Sequence, residues 1–286
     1  MRVPVLATCL LAAACTDTGV HANVSYDDRF GDATTMDIHV PGVSSSGRPA
    51  IMLIHGGAWR GGDKEMYSDA AERYAAAGYV AATINYRLVP AASYPAAVQD
   101  SLCALSFLRA HADELGIDPA RIAVSGYSAG GQLSALLGVG SQNPAHQPDC
   151  VWGPTAPPAA AIPADGVYDF TTNDNFGWVA DFLGGSKDEV PDNYTNASPM
   201  FQVTPGAPPF LLVHGHNDPV PIEGAEQLAH LLREAGVPTR LLDLGGSSHL
   251  TSPVTASDGL YLQAASDTPE AWAVTLDFLS TTLGAP

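Results

Sequence analysis

Short apolar runs without alternation, each followed by a stretch of helical spacing, recur along this chain. Pro209–His214 and Thr239–Leu244 read as strands, Tyr79–Ile84 and Arg121–Ser125 as buried strands, and Ile51–Ile54 (IMLI) is an apolar run with no alternation. That is the signature of strands covered on both sides. Thr35–Val40 alternates like a half-buried strand, and a further short strand is predicted over Ala164–Val167. Between them lie predicted helices over Lys64–Ala77, from Pro95 to the stop at Gly116, and over Ala129–Leu137, Pro221–Gly236 and Pro269–Leu279. The alternation predicts an α/β fold, a mostly parallel sheet with helices on both faces. No repeat or linker divides residues 23–286, which read as a single domain. The Pro/Ala-rich and irregular stretch 143–209 reads as an insertion over the active-site face. Ligands in such sheets bind at the carboxyl ends of the strands.

Charge removes several classes of function. The 286 residues hold 12 Lys+Arg against 30 Asp+Glu, a formal net charge of −18. The only lysines are Lys64 and Lys187. Nucleic-acid binding needs cationic contacts to phosphate, so no nucleic-acid partner is expected. Electrostatic docking on anionic lipid is excluded on the same ground. A hydrophobic fraction of 46% excludes global disorder.

Residues 1–22 have the layout of an export signal. Arg2 precedes an apolar run from Val3 to Ala14, too short to span a bilayer. Two processing modes fit. Leu11-Ala-Ala-Ala-Cys15 resembles a bacterial lipoprotein signal that would place a lipid on Cys15. Val20-His21-Ala22 resembles an ordinary cleavage site before Asn23. Both predict an exported protein, secreted, periplasmic or lipid-anchored at the bacterial envelope, with membrane contact only through the anchor. Cys103 and Cys150 remain, and in an oxidising compartment they are expected to form a disulfide. No cluster of His or Asp surrounds them, so no metal is expected.

The chemistry gathers at predicted strand ends. Gly126-Tyr127-Ser128-Ala129-Gly130 is a G-x-S-x-G string between the strand RIAVS and the helix AGGQLSALL. A sharp strand-to-helix turn there lifts the Ser128 hydroxyl clear of the sheet. Serine needs a base to become nucleophilic. His249 follows the last predicted strand and the Gly245-Gly246 turn, and is the expected base. His230 falls inside a helix, and His214 and His216 precede the candidate acid. Asp218, just past the strand PFLLVH, is expected to orient His249, with Asp169 as the alternative and Asp243 as a local partner. His55-Gly56-Gly57-Ala58-Trp59 follows the strand IMLI. Gly56 and Gly57, with Ala129, are the expected backbone donors to an oxyanion. His55 is expected to hydrogen-bond its own loop. Trp59 floors an acyl pocket or is core.

Taken together, HGGAW, NYRL (Asn85–Leu88), SGYSAGG, HGHNDPVP and the late His249 resemble the α/β-hydrolase esterases. The branch they resemble holds hormone-sensitive-lipase-like esterases and bacterial feruloyl- or acetyl-ester hydrolases. The resemblance implies an eight-stranded sheet and a serine hydrolase acting on ester bonds without a cofactor. Tyr127 stands where that family often has an acidic residue, which alters the pocket wall. The expected substrate is a small-molecule or polysaccharide-linked ester with a short acyl group. A feruloyl-type group is the variant if Trp152, Phe176, Trp178 and Phe182 form an aromatic platform. The competing readings are a formamidase or peptidase on the same triad, and an exported binding protein without catalysis.

Overall fold

The structure, a computed structural model, describes residues 19–42, 45–172, 177–245 and 269–286. Eight strands form one sheet: β1 (Val20–Ser25), β2 (Thr35–His39), β3 (Arg48–Ile54), β4 (Val80–Ile84), β5 (Ile117–Tyr127), β6 (Ala160–Ala164), β7 (Phe210–His214) and β8 (Thr239–Asp243). Their spatial order is β1-β2-β4-β3-β5-β6-β7-β8. β2 runs antiparallel to both its neighbours, and every other pairing is parallel. This is the α/β-hydrolase fold expected from the sequence.

Successive residues of the central strands point into two separate cores. Met52, Ile54, Ile122 and Val124 enter one, against helices α2 (Ala96–Ala110), α4 (Ala129–Gly140) and α7 (Glu223–Glu234). Ile51, Leu53, Ala123 and Ile162 enter the other, against α1 (Ser68–Ala76) and α8 (Pro269–Leu283). Both faces are apolar because both are covered, which is why these strands carry no polar alternation. The predicted helix opened by Pro95 breaks at His111, and the one-turn α3 (Ala112–Leu115) follows before Gly116 turns the chain at φ 67.

The strand expected over Ala164–Val167 lies earlier, at Ala160–Ala164. Pro163 made that segment read as loop. Its missing N–H is harmless because the β6–β7 ladder pairs only Ala161 with Phe210 and Ala164 with Val213. β1 has no strong strand signal, and residues 20–22 of the expected export segment form its first half. Cys15 lies outside the described residues.

Residues 143–209 do not form one layer. The part before β6 returns the chain from the end of α4 to the amino edge of the sheet, and it is stitched to α2. Cys150 is disulfide-bonded to Cys103 across 47 residues, with 5.8 Å between Cα atoms. Trp152 donates to the Tyr26 carbonyl at 2.6 Å and meets Phe107 edge-on at 5.1 Å. The Arg109 guanidinium donates to the carbonyls of Ala156 and Pro157 at 2.8 and 2.6 Å. Only the part after β6 starts from the carboxyl edge, and it carries α5 (Gly177–Leu183) and α6 (Pro191–Ala197). Replacing both Cys103 and Cys150 by serine should cost about 4 kcal/mol by chain entropy, less any native strain. Thermal unfolding of oxidised protein against the double variant measures it, and an unchanged midpoint refutes the expectation.

Candidate active site

Three carboxyl-edge turns converge. The first is the exit of β5. Ser128 has φ 56 and ψ −116, a conformation disfavoured for any residue with a Cβ, and α4 begins at the next residue. Strain of this kind costs on the order of 1–3 kcal/mol and persists only where surroundings over-determine it. Here they do. The Ser128 N–H donates to the Ala164 carbonyl at 2.9 Å, and its carbonyl accepts from Gln132 N–H at 3.0 Å. Ser125 Oγ ties β5 to the Ile162 carbonyl at 2.9 Å. The first turn of α4 is pressed onto the end of β3, where a Cβ at Gly130 would fall on the Ile54 carbonyl. Only glycine allows that approach.

The second turn leaves β3 at Ile54. A Cβ on Gly56 would lie 2.9 Å from the Tyr127 carbonyl oxygen and 3.3 Å from the Ser128 Cβ. The expected oxyanion loop therefore abuts the expected nucleophile. Among the described residues, the N–H groups of Gly56 and Gly57 have no hydrogen-bond acceptor. Ala129 opens α4, where the first backbone N–H groups are left without intrahelical partners. His55 is buried, and its Nδ1 lies 2.7 Å from the Gly56 carbonyl oxygen, so Nδ1 carries the proton and donates. Burial pushes its pKa down from 6.5 to about 4.

The third turn follows β7 and carries Asp218. Its Oδ1 accepts the Val220 N–H at 2.7 Å. His214 Nε2 donates to the Val220 carbonyl at 2.9 Å, closing the loop on itself. Asp165, at the exit of β6, accepts the Gly215 N–H at 2.8 Å and so holds the loop's first residue. Ligand atoms of Asp165, His214 and Asp218 lie within 4.8 Å of one another. Two carboxylates and an imidazole are metal-capable donors. Here Asp165 Oδ1 and His214 Nε2 are already committed to holding the loop.

Asp165 is the residue that sequence reasoning missed. It is fully buried with φ 47, and with β6 placed too late it read as mid-strand. Asp169, the alternative acid, is occupied by Thr171 and Thr172, accepting from Thr171 Oγ1 at 2.6 Å. Asp243 accepts the Gly245 N–H at 2.8 Å and lies 3.2 Å from His216 Nδ1, the local role expected of it. His230 sits on α7, 3.4 Å from Glu234. His249 and Phe176 lie outside the described residues.

Trp59 is 1% exposed and stacks on Phe182 at 4.1 Å between ring centres, with Phe170 and Trp178 each at 5.6 Å. Its indole N–H donates to Gln132 Oε1 at 3.2 Å. Trp152 belongs to the amino-edge stitching instead. Tyr127 packs into the core shared with α1 and α8. Burial raises its phenol pKa, and the Asp165 and Asp218 charges raise it further.

The BD-FAE family model matches residues 36–232, from β2 into α7. The chain belongs to the BD-FAE family. Esterase LipC of Mycobacterium tuberculosis is 35% identical over 212 residues, covering 70% of this chain and 52% of LipC. Carboxylesterase NlhH of the same species is 32% identical, covering 71% of this chain and 66% of its own. The chain spans about half the length of the curated relatives it matches first, 52% of LipC and 51% of the probable carboxylic ester hydrolase LipM. Among solved structures, a truncated carbohydrate esterase from gut microbiota shares the fold at a TM-score of 0.82 and 24% identity, covering 94% of this chain and 98% of that one. Thermogutta terrifontis esterase 2, solved phosphoramylated by tabun, superposes at 0.76 with 25% identity, covering 94% and 97%.

Burial of neutral His55 makes stability depend on acid. Above about pH 6.5 the imidazole is neutral in both the folded and unfolded chain. Between 6.5 and about 4 only the unfolded chain takes up the proton, so stability falls as pH falls, by about 3 kcal/mol across the window for this residue. Denaturant melts at pH 7 and pH 4.5 should show the loss, and His55→Asn should flatten it. Equal pH slopes in the two proteins would be inconsistent with a buried neutral His55.

Proposed function

We propose that the chain is a carboxylic-ester hydrolase using Ser128 as nucleophile, His249 as base and Asp218 as the acid that orients it. The observation that carries the reading is Ser128 held at positive φ against Gly56, with the Gly56 and Gly57 N–H groups unspent among the described residues. Ser128 Oγ attacks the ester carbonyl while His249 takes its proton. The oxyanion is met by the N–H groups of Gly56, Gly57 and Ala129, and the α4 amino terminus adds its dipole. His249 then protonates the departing alcohol, and water releases the acid by the same route. The esterase names of the relatives support ester over amide bonds.

The acyl group is short. Trp59, Phe170 and Phe182 are fully buried against one another, so their faces are occupied by packing rather than open to a feruloyl ring. The strong negative charge favours neutral alcohols over polyanionic ones. Export is part of the reading, with processing at Cys15 preferred to processing before Asn23. Cleavage after Ala22 would remove Val20, His21 and Ala22, and with them the β1–β2 pairs Val20–His39 and His21–Ile38. β1 runs in the same direction as β4, so a lipid tether would leave from the sheet edge opposite Ser128.

One experiment tests the reading: kcat/KM for p-nitrophenyl acetate, butyrate and decanoate, with the matching anilides. Ser128→Ala should fold and lose activity by around 10⁶, with His249→Ala nearly as damaging. Asp218→Asn should cost less than either. A maximum at decanoate refutes the short-acyl preference, faster anilide than ester cleavage favours an amidase, and a greater loss in Asp165→Asn than in Asp218→Asn moves the acid to β6.

A further inference from the structure

The sequence motif Asn85-Tyr86-Arg87-Leu88 has no part in the triad, yet it reaches the oxyanion loop. The Tyr86 hydroxyl donates to the His55 carbonyl at 2.9 Å, and its ring stacks on the His55 ring at 4.3 Å between centres. The His55 carbonyl and the Gly56 N–H belong to one planar peptide unit and point in opposite directions. Fixing that carbonyl therefore fixes where the Gly56 N–H aims. The next unit repeats the device. His55 Nδ1–H donates to the Gly56 carbonyl at 2.7 Å, which sets the direction of the Gly57 N–H.

Two further observations make this more than local packing. His55 is buried with Nε2 lacking a hydrogen-bond partner among the described residues, a cost that an apolar side chain would avoid. What the imidazole supplies there is its other nitrogen, on the Gly56 carbonyl. Tyr86 is itself held from both sides. Asn85 accepts the Lys64 N–H at 2.7 Å and donates to the Asp32 carbonyl at 3.0 Å. Arg87 forms an ion pair with buried Asp100 at 2.6 Å and donates its own N–H to that carboxylate at 2.8 Å. The motif thus delivers one hydroxyl to one carbonyl with little freedom.

The geometry points to Tyr86 and His55 as positioning residues, which aim the Gly56 and Gly57 N–H groups at the oxyanion by pinning the carbonyl ends of their peptide units. The inference rests on the esterase reading above. Neither side chain touches the reacting atoms. Their effect is confined to the tetrahedral state, where the oxyanion forms, and spares the ground-state complex.

Tyr86→Phe keeps the stacked ring and removes only the hydroxyl. Removing an oxyanion donor outright costs about 10²–10³ in turnover, so loosening one should lower kcat about tenfold. KM for p-nitrophenyl acetate should hold within twofold, and the pH profile should keep its shape. Rates are taken per serine titrated with a fluorophosphonate, below the melting temperature, so lost folded protein does not count. A trifluoromethyl ketone, which forms a tetrahedral oxyanion on the serine, should bind more weakly by the same factor as kcat falls. His55→Asn returns an N–H near the Nδ1 position and should stay within about threefold of wild type in this affinity, whereas His55→Leu should lose about tenfold. Unchanged kcat and ketone affinity in Tyr86→Phe overturn the pinning while leaving the esterase reading intact. If Tyr86→Phe does not fold, equal affinities of His55→Asn and His55→Leu overturn it. Ester hydrolysis surviving in Ser128→Ala overturns both readings.

Discussion

The rest of the site depends on the contact between the first turn of α4 and the end of β3. Gly130 lies directly on the Ile54 carbonyl, and the Ser128 N–H is drawn to Ala164 at the end of β6. Those two constraints on either side of Ser128 hold it at positive φ. They also set the distance between the Ser128 turn and the loop that begins one residue past Ile54. A larger residue at 130 would push the helix off the strand, and the serine, Ala129 and Gly56 would lose their mutual placement together. The Ile54 carbonyl is packed under Gly130, and the next two carbonyls, of His55 and Gly56, are engaged by Tyr86 and by the His55 ring.

The two edges of the sheet are stabilised by different means. At the amino edge, a covalent bond and hydrogen bonds to bare carbonyls hold a Pro/Ala-rich connection that has few side chains to bury. At the carboxyl edge, the connection after β6 buries Phe170 and Phe182 against Trp59, which follows the oxyanion loop in the chain. Packing of aromatic faces is directional and close. The segment after β6 is therefore coupled to the loop that carries Gly56 and Gly57, and the disulfide is not.

Much of this was legible in the residues. Apolar runs such as IMLI declared strands covered on both faces, and G-Y-S-A-G between a strand and a helix declared the elbow. Legibility failed where a residue's meaning depends on its neighbour in space. Pro163 reads as a strand breaker, and only the gap in the β6–β7 ladder makes it acceptable. β1 gains its stability by pairing with β2 rather than from its own composition, so an export signal and a strand claim the same three residues. Trp152 and Phe182 share one composition class but pack at opposite edges, a distinction set by the placement of β6.

Asp165 shows the same limit at the level of chemistry. The error of a few residues in β6 moved its carboxylate from the strand's exit to its interior, and hid a second acid beside Asp218. Burying a carboxylate there is tolerable because the Gly215 N–H is given to it, and that N–H opens the loop that carries Asp218. The same loop is closed from within by His214 on Val220. Asp218 thus sits on a turn tied to β6 at its first residue and to the end of β7 at Val220. An acid that must hold an imidazole at a fixed angle needs such a base, since a triad depends on orientation as much as on charge.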